Sequence, residues 1–452
     1  MTVAIRPVSG PSRDYRFPRF ERVILGNGIN VIVAPVRKLP VVSVLAVIDG
    51  GAVDEASDKR GVAELTAQAL REGTSNRDGL HLAMAFEELG TSLETGADWD
   101  TTVASMTLLK DHLPRAFELF GEVLTLPKFP EGEVERLRAE RLAERMQILS
   151  EPRGLADEEF SRFIYADGSR YREPVVGSTA SISGISQSHV VDFYQRIFAP
   201  DAVTIILTGD IGVDEGAGLV DRSLGTWEGR RERGEIRVDE QARRTRASRV
   251  VPKEDAAQSE LRLGHVGVPR TNQDYFDIVV MNSVLGGLFS SRINLNLREA
   301  HGYTYGASSY FDWRRGSGPF VISTAVQSEV TGAAITETIS EIERMQQEEI
   351  PEDELTLATS YLDGVFPIRY ETTSSIASAL ANMVTFGLPE DYYDTYRGKI
   401  RSVTTAGVLR AAQKYVNMDE LQILVVGDPS LVSPQVESIG IGPLSTRETA
   451  EP

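Results

Sequence analysis

Apolar positions along this chain fall into short alternating or continuous runs separated by amphipathic stretches of helical period. Residues 23–33 read V-I-L-G-N-G-I-N-V-I-V, two apolar runs around Asn27-Gly28, which predicts a hairpin. A second strand is predicted over 41–48, ending in Asp49-Gly50-Gly51. Residues 62–71 and 80–89 carry helical spacing, and 93–109 alternate like a strand with a hairpin partner. Helical spacing returns over 113–126. Pro130-Glu131-Gly132-Glu133 then opens a long charged helix reaching about residue 149. A helix over 188–197, preceded by the cap-type Ser186, leads through Pro200 into Val203-Thr204-Ile205-Ile206-Leu207-Thr208-Gly209-Asp210, a strand buried on both faces.

That order recurs. Ile350-Pro351-Glu352-Asp353-Glu354-Leu355 opens a long helix as 129–134 does. A helix over 405–415 leads into Leu421-Gln422-Ile423-Leu424-Val425-Val426-Gly427-Asp428. Helix, buried strand and Gly-Asp thus occur twice, about 218 residues apart, and internal duplication is the economical reading. Between the copies, 228–260 is rich in charge (Arg230, Arg231, Arg233, Arg243, Arg244, Arg246) and reads as an exposed linker. The expected fold class is α+β, two duplicated α/β-sandwich halves clasped as a clamshell. The expected domains are 1–228, a charged linker 229–258, and 259–452.

Composition narrows the function. At 452 residues, 41% hydrophobic and 25% charged, the chain is globular and long enough for two domains. A formal net charge of -19 disfavours nucleic acid and anionic lipid as partners and favours basic peptides or proteins. With no cysteine, disulfides, thiolate nucleophiles and cysteine metal sites are excluded. No stretch approaches the roughly 18–20 apolar residues of a membrane span, and residues 1–15 have no apolar signal core. A cytoplasmic protein is expected, or a periplasmic one whose leader has been removed.

The five histidines are His81, His112, His189, His265 and His301, and the closest pair, His81 and His112, is 31 positions apart. Neither H-E-x-x-H nor H-x-x-E-H can be formed. His81, His112 and His189 read as surface residues and His265 as packed. His301, beside the helix-ending Gly302, caps that helix or lines a site. No nucleophile elbow or phosphate loop is present. The densest segment is 284–305, V-L-G-G-L-F-S-S-R-I-N-L-N-L-R-E-A-H-G-Y-T-Y. It predicts an apolar helix broken at Gly286-Gly287, a second helix carrying Leu297 and Arg298 and stopping at Gly302, and a strand from Tyr303. Arg298 and Tyr305 fit two roles: a surface salt bridge with a core tyrosine, or a rim holding a peptide carbonyl and a developing oxyanion.

The pattern G-G-x-x-S-S-R-I-x-x-x-L-R-E-x-x-G-x-x-Y resembles the C-terminal half of insulinase and mitochondrial-processing-peptidase proteins. The resemblance extends to Leu25-Gly26-Asn27-Gly28-Ile29, Gly50-Gly51-Ala52-Val53-Asp54-Glu55, Pro174-Val175-Val176-Gly177, Phe193-Tyr194, Pro200 and Gly209-Asp210. It implies that Arg298 and Tyr305, with Gly286 and Gly287, bind substrate peptide. Catalytic members of that family carry H-x-x-E-H after the positions matching Gly61-Val62-Ala63. This chain has Glu64-Leu65-Thr66-Ala67-Gln68 there, so both zinc histidines and the water-activating glutamate are replaced. Glu158 or Glu159 is expected where the third ligand would fall, as a surface helix residue. The resemblance implies no metal in this chain and a homologous partner subunit holding zinc. This chain would donate Arg298 and Tyr305 to a heterodimeric peptidase. The alternative is an inert scaffold or peptide-binding homodimer.

Overall fold

The computed structural model describes residues 14–231, 242 and 244–447. The linker arginines Arg233 and Arg243 lie outside them. Two six-stranded sheets organise the chain. The first contains β1 (Glu21–Ile24), β2 (Asn30–Pro35), β3 (Val41–Ile48), β4 (Glu94–Ala97), β5 (Thr102–Leu109) and β6 (Val203–Gly209), in the order β1-β2-β6-β3-β5-β4. The second contains β7 (Ala247–Pro252), β8 (Gln258–Val266), β9 (Ala307–Phe311), β10 (Pro319–Gln327), β11 (Gln422–Gly427) and β12 (Leu444–Thr446), in the order β12-β7-β11-β8-β10-β9. The order β2-β6-β3-β5-β4 matches β7-β11-β8-β10-β9, whereas the remaining edge strands differ, β1 lying antiparallel to β2 and β12 parallel to β7. In each sheet the late buried strand, β6 or β11, lies parallel to one neighbour and antiparallel to the other.

The amphipathic logic of each sheet is two-sided. Along β2 and β6, Val31, Val33, Ile205 and Leu207 face a core built with the helices Leu113–Thr125, Gln187–Ile197 and Val213–Leu224. Ile32, Ala34 and Ile206 face the opposite core, shared with the second half. Successive side chains of a strand point to opposite faces, so a strand buried on both faces is apolar except where a polar side chain such as Thr208 finds a hydrogen-bond partner. The helix Thr373–Thr385, from the second half of the sequence, packs across β3 and β6. Thr208 Oγ1 donates to the Thr373 carbonyl at 2.7 Å, and the Ser43 and Thr373 hydroxyls bond at 2.8 Å. Reciprocally, the helix Pro152–Ile164 packs across β8 and β11 of the second sheet. Each half therefore lends a helix to the other.

Two expectations need correcting. First, β7 falls inside the stretch expected to be an exposed linker. Val250 and Val251 are buried, β7 pairs with β11, and Arg249 lies 4.3 Å over the Phe163 ring, so its charged side chain is part of the packing. Second, the strand expected from Tyr303 begins only at Ala307. The hairpin at Asn27-Gly28 forms with Ile24 opposite Asn30, and Gly28 takes a φ of +99° that other residues rarely adopt.

Candidate functional site

The helix Val62–Ala69, which carries the segment expected to be a degenerate metal motif, is held at its start by a buried carboxylate. Glu55 Oε1 accepts the Gly61 and Ala63 amides at 3.0 and 2.9 Å, and Glu55 Oε2 accepts Arg170 Nη2 at 2.6 Å. Burial raises the Glu55 carboxyl, opposed by Arg170 and the two amides. Gly61 (φ +100°) and Gly177 (φ +85°) make the backbones of 60–61 and 176–177 meet. A Cβ at either would collide with the other segment's carbonyl, which explains both glycines of that motif.

On this helix Glu64 and Gln68 stand one turn apart and bond directly, Gln68 Nε2 donating to Glu64 Oε1 at 2.8 Å. Glu64 Oε2 accepts the Ala97 amide of β4 at 2.7 Å. Arg141, from the facing helix Glu131–Ser150, donates through Nε to Gln68 Oε1 at 2.9 Å, and its Nη2 lies 3.4 Å from Glu64 Oε1. Burial raises the Glu64 carboxyl, opposed by the Ala97 amide and then by Arg141. These residues do not fit a zinc ion. The carboxylate and the amide are already satisfied by each other, no imidazole is present, and a guanidinium contacts both. Among the described residues no cluster of three or more His, Asp or Glu side chains could hold a metal.

The expectation for Glu158 and Glu159 is corrected. Both are buried: Glu158 is held bidentately by the buried Arg145, and Glu159 by Arg162 and Arg447. The side chain that faces the erased motif from across the groove is Arg141. It shares the 134–137–141–145 face of its helix with the buried Val134, Leu137 and Arg145, a spacing legible in the sequence.

The second-half segment is firmly built with an exposed tip. The helix Tyr275–Asn282 widens into a π-helical stretch, Ser283–Gly287, and ends at Gly286-Gly287 as expected, with Leu288 extended; a second π-helical stretch, Leu295–Ala300, contains Arg298. Such widened turns concentrate at functional sites. Gly286 is packed against β9, where a Cβ would come within 2.6 Å of the Ser309 amide, whereas Gly287 is exposed. Ser309 Oγ donates to Asn282 Oδ1 at 2.8 Å. Asn294 ties the tip together, donating to the Phe289 carbonyl at 2.6 Å and accepting the Ala307 amide at 3.0 Å. Asn296 donates to Glu337 and Glu341 of the helix Thr331–Gln347.

From this frame Arg298 projects at the rim. Its guanidinium lies 4.5 Å over the ring of Phe289, which is 71% exposed, and 3.5 Å from Glu299. Tyr305 is 92% exposed, so the reading of it as a core tyrosine is excluded. Sequence reasoning missed Phe289, whose only signal was a bulky apolar residue in a loop of small and polar ones. His301 lies at the same end, stacked on Tyr303 and 3.8 Å from Glu337. His265 is buried, its Nε2 accepting the Asn417 amide at 2.9 Å.

The run Tyr275–Ala300 is the one helical stretch among the described residues long and apolar enough to cross a membrane. It is mostly buried in the second half and interrupted between its two π-helical turns, the pattern of a core helix.

Comparison with known proteins agrees with this geometry. The insulinase (peptidase family M16) profile matches residues 31–172, and the peptidase M16 inactive domain profile matches residues 184–362. The chain belongs to the insulinase family, and its second half matches that family's inactive domain. A crystal structure of a peptidase M16 inactive domain from Pseudomonas fluorescens superposes with a TM-score of 0.85 at 25% identity, covering 91% of this chain and 98% of that one. An uncharacterized zinc protease of Mycobacterium tuberculosis is 26% identical over 87% of this chain and 90% of its own length. The Helicobacter pylori non-peptidase homolog YmxG is 22% identical over 85% and 88%.

Proposed function

We propose that this chain is the non-zinc subunit of a heterodimeric zinc metalloendopeptidase. It would bind substrate peptide and present Arg298 and Tyr305 to the active site of a homologous zinc-bearing partner. The observation that carries the reading is the contrast between the two halves. The first half has a metal helix filled by Glu64, Gln68 and Arg141. The second holds Arg298 on a π-helical turn and a 92% exposed Tyr305 in the loop that follows it. A tyrosine so exposed adds nothing to folding, and an inert scaffold gives no reason for it.

The metal chemistry that activates water belongs to the partner. This chain's residues bind and orient. The Arg298 guanidinium, flattened on Phe289, offers its fork to a backbone carbonyl or carboxylate of the peptide. The Tyr305 hydroxyl, free of intramolecular packing, donates to the oxygen on which negative charge develops. A donor aimed at developing charge acts chiefly on kcat, whereas a ground-state anchor acts on KM. In the reconstituted pair, Arg298→Ala and Tyr305→Phe should each lower kcat/KM at least tenfold, about 1.4 kcal/mol. Turnover unchanged in both variants would sink the proposal.

A further inference from the structure

Away from the Arg298 rim, a pocket of 330 Å³ is lined by Glu159, Arg162, Arg172, Arg249, Ser445, Thr446 and Arg447. Three distant parts of the chain meet there: the helix Pro152–Ile164 with the turn after it, β7, and the last strand β12. Four guanidiniums surround one carboxylate in a chain whose overall charge is -19. Of the other nearby acids, Glu158 is held by Arg145 and lies 3.8 Å from Arg162, and the exposed Asp167 pairs with Arg172 at 3.2 Å. Nothing in the reading of the peptide site uses this pocket.

The arginines are positioned rather than loose. Arg249 lies on the Phe163 ring, and Arg172 donates to the Tyr165 carbonyl at 3.0 Å. Arg162 pairs with Glu159 at 2.8 Å, and Arg447 contacts the same carboxylate. Desolvation lowers the pKa of Arg447, a sign that bringing its charge here is costly. Pre-positioned guanidiniums suit an oxyanion with several acceptor oxygens. Glu159 adds a second condition. It is 1% exposed, and its Oε2 has no hydrogen-bond donor among the described residues. A buried acceptor without a donor is costly, so the best ligand is an anion that also brings a proton.

We propose that this pocket binds a protonated tetrahedral oxyanion, hydrogen phosphate, with the arginines and the Ser445 and Thr446 hydroxyls taking its oxygens and Glu159 accepting its remaining P–OH. Sulfate has the same shape and charge but carries no proton at neutral pH. A phosphate monoester has lost its last proton by about pH 8. The pocket therefore discriminates by proton content, and the same rule separates free phosphate from an esterified group.

Calorimetric titration of the full-length chain at about pH 8 with inorganic phosphate, sulfate and methyl phosphate tests this. Phosphate is expected to saturate one site, with sulfate and methyl phosphate at least tenfold weaker. Arg249→Gln should weaken phosphate at least tenfold, and Glu159→Gln should erase the preference over sulfate. Both variants are checked for folding by circular dichroism, and the wild-type anion series stands even if either variant misfolds. No saturable phosphate binding up to about 10 mM would overturn the proposal, as would equal affinity for the three anions. Phosphate selectivity surviving in a folded Glu159→Gln protein would do the same.

Discussion

Arg141 occupies the ground that a metal would need. Its guanidinium bonds Gln68 and lies against Glu64, and a divalent cation placed among the same groups would face its charge at contact distance. Replacing the two first-half side chains is therefore insufficient to build a site. The double variant Glu64→His/Gln68→His should bind zinc poorly. Adding Arg141→Glu, which removes the charge and supplies a third ligand, should raise zinc affinity at least tenfold, measured by competition with a chromogenic chelator. Equal affinity with and without the Arg141 change would contradict this. The absence of a histidine pair follows from counting, and the resemblance of 284–305 singled out Arg298 and Tyr305. Arg141 and Phe289 were not singled out, because their importance comes from contacts across the fold: one faces a helix some 70 residues earlier, and the other lies under a side chain nine positions later. Glu158 and Glu159 were misread because acidic residues on a charged helix look solvated until their buried arginine partners are seen.

Strands β6 and β11 were readable because burial on both faces favours near-continuous apolar runs, I-I-L in β6 and I-L-V-V in β11. β7 was not, since its A-S-R-V-V-P is short, ends in proline and follows a charged stretch. Its arginine is accommodated by an aromatic ring of a helix that arrives from the other half. The Gly286-Gly287 pair read as a helix break, and the helix does end there, through a widened turn in which Gly286 lets β9 approach. Gly286→Ala would press a methyl against the Ser309 hydroxyl and to 2.6 Å from the Ser309 amide, so backbone as well as side chain stands in the way. A destabilisation of about 1–3 kcal/mol is expected, read as a lower urea midpoint. An unchanged midpoint would show that the close approach is not required.

In the whole molecule, two matching sheets are bound by the exchange of one helix each and by polar contacts near the end of β3. Arg315 of the second half reaches Asp49 at 2.6 Å and bonds the Thr385 carbonyl at 2.6 Å, and Arg231 reaches Asp49 at 3.1 Å. Burial would raise the Asp49 carboxyl, but Arg315 and then Arg231 outweigh it and hold it below its ordinary 3.8. A depressed carboxylate stabilises the fold above its unfolded pKa, and that contribution is lost as pH falls through the folded value. Asp49→Asn should therefore lower the unfolding midpoint at pH 7, and the gap to wild type should narrow as pH drops below about 3.8. A gap independent of pH would show that the link between halves is not ionic. The duplication was visible in the sequence as two helix–strand–Gly-Asp endings. The helix exchange was not, because periodicity reports that a face is buried without saying which half buries it.

The central claim is a division of labour between two chains, and the most direct measurement is peptide cleavage by each purified subunit alone and by their mixture, with zinc content determined for each. The account predicts no zinc and no cleavage for this chain alone, and cleavage by the mixture well above that of the zinc-bearing partner alone. Stoichiometric zinc together with unaided cleavage by this chain would contradict it.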